Sequence, residues 1–246
     1  MTFVAPRRRA AFGQPPRVIR RNARRSPGLN YLPSMLWRSP SPARHPPGFI
    51  EPCLPTLGHA VPSGSQWVHE IKHDGYRFIC RREGDRVRVF SRGGYDWTDR
   101  VPLIVKALAA LRVKSVTLDG EGVVCDPDGV TDFDLLRAAL GRKGSRRVFP
   151  FALDVLELDG RDLRASPWDE RRKALTKLLR KAGDGFRLSE HLATTDGNTL
   201  FQHACAIGLE GIVAKRCDRP YRSGRCPDWI KVKNPDAPAA IRVIEG

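Results

Sequence analysis

The chain has 246 residues, 41% of them hydrophobic, enough to bury a sizeable core in one large domain or two small ones. No apolar run approaches the roughly 18 residues of a membrane span. Six scattered cysteines (Cys53, Cys80, Cys125, Cys205, Cys217, Cys226), none in C-x-x-C spacing, argue against a zinc ribbon or a dense disulfide framework and suit a reducing, cytoplasmic setting.

The formal net charge of +16 is concentrated at one end. Residues 1–47 hold ten arginines, nine prolines and no acidic residue, which leaves a net charge of only +6 on the rest. Such a segment cannot bury enough apolar surface to fold alone, so residues 1–47 are expected to be a disordered basic arm. Polyanion binding is the favoured reading, because each neutralised phosphate releases counterions. A solubilising tail and an organellar transit peptide are the competing readings.

From residue 48 the pattern is mixed α/β. WVHEIK (67–72), FICRRE (78–83) and VRVFSR (87–92) alternate or are β-branched and read as strands, the last two joined by a Glu83-Gly84-Asp85 turn. Thr98 is expected to cap a helix reaching about Leu111, and SVTLDGEGVVC (115–125) reads as a strand. A short helix at 133–140 and a strand at 148–158 follow. Ser166-Pro167 offers an N-cap and a first-turn proline for a helix reaching about Ala182 whose exposed positions are basic. A helix near 198–207 should stop at Gly208, with strands GIVAKR (211–216) and DWIKVKN (228–234) after it. Strands that follow one another through hairpins or single helices favour an α+β fold with mixed, largely antiparallel sheets and flanking helices.

One stretch offers two incompatible chemistries. HEIKH (69–73) matches the H-E-x-x-H zinc-protease pattern, and the overlapping KHDGYR (72–77) reads K-x-D-G-x-R. The zinc pattern needs both imidazoles on one face of a helix. Here Gly64-Ser65 precede the segment, Asp74-Gly75 break it, and its alternation suits a strand on which His69 and Lys72 face opposite ways. The lysine reading survives, because further motifs follow in order: SRGG (91–94), LDGEGVV (118–124), LDVLELDG (153–160), LEGIVAKR (209–216) and WIKVKN (229–234).

This series resembles the covalent nucleotidyltransferases with an ATP-grasp-like ligase core, most closely the ligase domain of bacterial ATP-dependent DNA ligase D proteins, over about residues 50–240. Each motif alone has a bland reading, a solvated lysine or a turn dipeptide; their joint order carries the likeness. The resemblance implies that Lys72 attacks the α-phosphate of ATP as an amine nucleophile. It further implies nucleotide contacts from Glu70, Ile71, Arg77, Arg92, Glu121, Phe151, Lys231 and Lys233, and a Mg2+ or Mn2+ ion held by Glu210 and Asp74. Implied partners are nicked or broken duplex DNA, a Ku-like end-binding protein, or a protein supplying an oligonucleotide-binding (OB) domain, at the bacterial nucleoid; no membrane partner is implied. Alternatives are a non-catalytic DNA-repair scaffold that retains the pocket, and an RNA ligase or capping-type enzyme, with GTP in place of ATP left open.

Two departures from the family pattern stand out. Leu153 occupies the place where relatives carry an adenine-stacking aromatic, so Phe151, two positions earlier, is the expected substitute. Only 13 residues follow Lys233, so the OB domain that follows in such ligases is expected to be absent and self-nucleotidylation to be slow.

Overall fold

The computed structural model of the chain describes residues 46–127, 129–141, 147–180, 185–192 and 196–237. The basic arm lies outside the described residues, save Pro46 and Pro47. In chain order the elements are β1 (Cys53–Leu57), β2 (Trp67–Ile71), β3 (Tyr76–Glu83), β4 (Arg86–Ser91), a 3-10 turn at Thr98–Arg100, α1 (Pro102–Ala110), β5 (Ser115–Val123) and α2 (Phe133–Leu140). They continue with β6 (Phe149–Leu158), β7 (Arg161–Asp162), α3 (Trp168–Leu179), β8 (Arg187–Leu188), β9 (His191–Leu192), α4 (Gly197–Ala206), β10 (Gly211–Arg216) and β11 (Gly224–Lys233). Among the described residues no helix is long and apolar enough to cross a membrane.

These strands form two sheets, one ordered β1-β11-β10-β2-β9 and the other β4-β3-β5-β6-β7, with β8 also beside β6. The pairs are antiparallel except β1 with β11 and β6 with β8, which gives the α+β class with mixed, largely antiparallel sheets. Period-two alternation sorts each strand between two cores. On β3, Phe78 and Cys80 face a core built with α1, α2 and α3, while Ile79 faces the layer shared by the two sheets. Val68, Trp168, Tyr221 and Trp229 fill that shared layer, and a third cluster (Ala204, Ile212, Val232) seats α4 on the far side of the first sheet.

Several expected details differ. Thr98 caps no helix: its hydroxyl accepts from Val89 N at 3.0 Å and donates to Asp96, while α1 begins at Pro102. Before α3, Pro167 rather than Ser166 stands at the cap position, with no side-chain cap bond. The expectation that exposed positions of α3 are basic holds at Lys173 and Lys177, but two further basic residues of the helix are buried. Arg171 and Arg172 lie on the same buried stripe as Trp168, Leu175 and Leu178, and Arg171 donates from Nε and Nη2 to Asp154 at 2.9 and 2.8 Å. A buried guanidinium requires such a partner, and Asp154 on β6 supplies it.

Candidate active site

Lys72 stands just past the end of β2, and its position follows from three restraints on the chain around it. Lys72 N donates to Gly211 O at 2.9 Å, and Asp74 N donates to Thr131 Oγ1 at 3.2 Å. Gly75 passes so close to β5 that a Cβ there would lie 2.5 Å from Gly122 O, so no other residue fits without moving backbone. The next turn of the site is equally constrained: Gly211 has φ +135°, and a Cβ on it would meet Val232 O at 2.1 Å. This close approach fixes Glu210 at the mouth of β10.

Glu210 is nearly buried, and its two carboxylate oxygens serve two lysines. Lys72 Nζ contacts Oε2, and Lys233 Nζ lies 3.8 Å from Oε1. Lys231 and Lys233 share one face of β11, the face that further back buries Trp229 between the sheets. Partial burial, then the charges of Lys233 and Lys72, push the Lys231 ammonium below its ordinary pKa; Glu210 opposes the shift and exposed Arg92 adds to it.

Register on the second sheet places Arg77 opposite Glu121 and diagonal to Asp119. Its guanidinium forms a fork with Asp119, at 2.5 Å from Nε and 2.7 Å from Nη2, and Nη1 lies 4.0 Å from Glu121. Burial opposes the Arg77 charge, but Asp119 more than compensates and holds it cationic. Tyr221 donates to the same carboxylate at 2.6 Å and accepts from Cys53 N at 2.7 Å, which ties β1 of the first sheet to β5 of the second.

Glu70 and Ile71 stand apart from this cluster. Glu70 is buried, accepting from Lys215 Nζ at 2.7 Å and Ser189 Oγ at 2.9 Å. Ile71 packs its side chain on the α4 side of the sheet, so it offers the cleft main chain only. Phe151 lies flat against His73, with ring centroids 3.9 Å apart and planes 8° apart. His69 faces the other way, its Nε2 2.9 Å from Pro62 O and close to Gly197 at the start of α4. HEIKH is therefore the end of a strand and the loop after it, whose imidazoles serve different neighbourhoods, not a helical zinc pair.

Reading the sequence for site residues missed Lys215, His73 and Arg187. Lys215 is buried between Glu70 and the Trp229 ring, 4.0 Å from its centroid, and burial lowers its pKa. Arg187 stacks over Phe149, which in turn tilts against Phe151. Lys215 was visible within GIVAKR, but a lysine on a strand carries no sign of being buried; His73 stood inside HEIKH and KHDGYR with no sign of its ring partner, and nothing in sequence marks Arg187.

Asp74 lines a cavity of about 270 Å³ together with Asp126, Asp132, Asp134 and Glu210. Among the described residues no three His, Cys, Asp or Glu side chains converge as a complete metal site. Hard carboxylate oxygens beside a cluster of lysines nevertheless fit the way Mg2+ is usually held, by one or two carboxylates plus substrate phosphates.

Burial raises the Glu121 carboxyl from 4.5 to about 7, against the pull of Arg77 and Lys72. Between those pH values the folded protein keeps a proton that the unfolded chain has released, so stability falls as pH rises through the window. Glu121→Gln does not titrate, so its melting temperature relative to the parent should be higher at pH 8 than at pH 5. An equal difference at both pH values in thermal melts would mean that Glu121 is ionised throughout.

The sequence profile described as ATP dependent DNA ligase domain matches residues 56–233. Multifunctional non-homologous end joining protein LigD of Pseudomonas aeruginosa is 41% identical over 188 residues, 76% of this chain and 22% of that protein. The non-homologous end joining DNA repair protein LigD of Mycobacterium tuberculosis is 36% identical over 187 residues, 75% of this chain and 24% of that protein. The chain thus spans under a quarter of these relatives. A solved structure of mycobacterial DNA ligase D complexed with ATP and MES matches with a TM-score of 0.65 and 36% identity, covering 74% of this chain and 59% of the other.

Proposed function

Since the chain belongs to the family of ATP-dependent DNA ligase domains, we propose that it transfers AMP from ATP to Lys72 and then to the 5′-phosphate of nicked or broken duplex DNA. The observation that carries this reading is the Lys72–Glu210–Lys233 cluster, with Lys231 beside it and Glu121 and Arg77 across the cleft. A nucleophilic lysine needs a nearby base, an anion-binding surround and a fixed approach, and these groups can provide each.

In the proposed step Lys72 Nζ attacks the α-phosphorus, the bond from phosphorus to the pyrophosphate oxygen breaks, and the amine gives up its proton. Glu210, already in contact with Nζ, is the nearest acceptor for that proton. Lys231 and Lys233 face the α-phosphate, Arg77 and Arg92 face the remaining phosphate charge, and Glu121 accepts from the ribose hydroxyls. Mg2+ or Mn2+ would be held by Glu210 and Asp74, and when bound supplies charge neutralisation at the phosphates. The test is incubation with α-labelled ATP or GTP, denaturing electrophoresis, and sealing of a phosphorylated nick. ATP-dependent label and sealing are expected. DNA binding with neither activity would leave a scaffold role instead, and label from GTP with sealing of RNA would favour the RNA ligase or capping reading.

Residues 1–47 are proposed as a DNA-backbone arm, acting at the bacterial nucleoid beside a Ku-like end-binding protein or one supplying an OB domain. Support comes from the arm's ten arginines and from relatives named for end joining. Removing the arm should weaken binding to all DNA sequences evenly. The slope of log K against log salt should flatten by about 0.9 for each phosphate that the arm had neutralised. An unchanged slope in fluorescence-anisotropy titrations would point to a tail or transit peptide.

A further inference from the structure

Building on the nucleotide-pocket reading above, we infer that His73 is a displaceable cover on the base site: its imidazole takes the face of Phe151 that a purine would occupy, and nucleotide entry requires it to rotate away. The two rings are stacked at 3.9 Å and 8°. A base inserted between them would need about twice the ~3.5 Å contact distance of stacked carbons, so imidazole and purine exclude one another.

The surroundings determine which group moves. Phe151 sits on an inner strand, paired with Glu121 of β5 on one side and Arg187 of β8 on the other, and Phe149 leans on its ring at 5.7 Å. The backbone on both sides of His73 is pinned as well, by the Lys72 N and Asp74 N hydrogen bonds and by the fit of Gly75 against Gly122 O. Exchange is therefore a side-chain rotation of His73 and not a movement of the loop. Because His73 is bonded to Lys72, base entry and nucleophile placement share one short segment. Leu153, two residues further along β6, carries no ring, so Phe151 is the ring whose availability sets affinity.

A stacked aromatic pair that must be undone before binding reduces affinity by about twofold to tenfold. The experiment is calorimetric titration of ATP, in EDTA so that no transfer occurs, into the 246-residue chain and its His73→Ala, His73→Phe and Phe151→Ala variants. Inorganic triphosphate, which has no base, is titrated in parallel. His73→Ala should bind ATP about twofold to tenfold more tightly and triphosphate unchanged. His73→Phe, with a better stacking ring, should bind ATP more weakly, and in a Phe151→Ala background His73→Ala should lose its effect. Equal or weaker ATP binding by His73→Ala overturns the inference and makes His73 a fixed wall of the pocket, and a parallel gain for triphosphate overturns it by showing general loosening. Should His73→Ala fail to fold, as circular dichroism would show, His73→Phe decides: unchanged or tighter ATP binding refutes the cover. If the parent chain binds triphosphate but not ATP, or neither, the nucleotide-site reading itself fails first and the inference with it.

Discussion

Replacing Lys72 by alanine is expected to abolish covalent labelling by ATP, by at least about 10⁴-fold in single-turnover rate, the scale of losing a covalent nucleophile. Lys72→Arg separates charge from nucleophilicity. It keeps a cation beside Glu210, but a guanidinium does not deprotonate at working pH, so labelling should be lost equally. Sealing of a nick that already carries a 5′-adenylate needs no attack by lysine, so both variants should retain more of that activity than of labelling. Mass mapping of the labelled parent should find AMP on the peptide carrying Lys72. Label surviving in Lys72→Ala would remove Lys72 from the proposed mechanism.

Asp119→Ala should be the most destabilising single change near the cleft. Asp119 is fully buried and serves Arg77 twice and Tyr221 once. Its loss strands a buried guanidinium and a buried hydroxyl, at a cost of about 3–5 kcal/mol, or on the order of 10 °C in melting temperature for a chain of this size. Because Tyr221 also receives Cys53 N, the loss loosens the contact between the two sheets. The double variant Arg77→Met with Asp119→Leu should recover much of the stability, since no buried charge is left unpaired and only the Tyr221 hydroxyl still lacks its acceptor. Its labelling should stay low, because Arg77 is no longer there to face the phosphates. A drop of less than about 1 kcal/mol for Asp119→Ala in denaturant unfolding, the scale of an ordinary point substitution, would show that Arg77 finds another partner.

Much of the fold was legible because period-two alternation is strong in this chain: the strands at Trp67, Tyr76, Arg86, Ser115, Phe149, Gly211 and the end of β11 all begin within a few residues of the expected places. The strands that escaped notice had no such signal. β1 runs through Pro55 and pairs in parallel with β11 across a register shift, and β7, β8 and β9 are two residues each, too short to carry a period. On α3 the helical pattern is present, but its buried stripe is disguised. Trp168, Arg171, Arg172, Leu175, Leu178 and Leu179 recur at helical spacing, yet two of the six are arginines, and arginine is ordinarily exposed.

The sequence by itself determined the longer strands and the helices, β1 apart, the α+β class and the chemical types gathered in the motifs, because those follow from local periodicity, turn residues and order along the chain. Tertiary structure alone decided the partners. Lys72 meets Glu210 across 138 residues, Arg77 meets Asp119 across 42, and His73 meets Phe151 across the cleft. A one-dimensional pattern tells which face a side chain takes but not which group it finds there. That depends on sheet order, on register, and on the cost of burying a charge, which leaves each of these cations beside the carboxylate that compensates it.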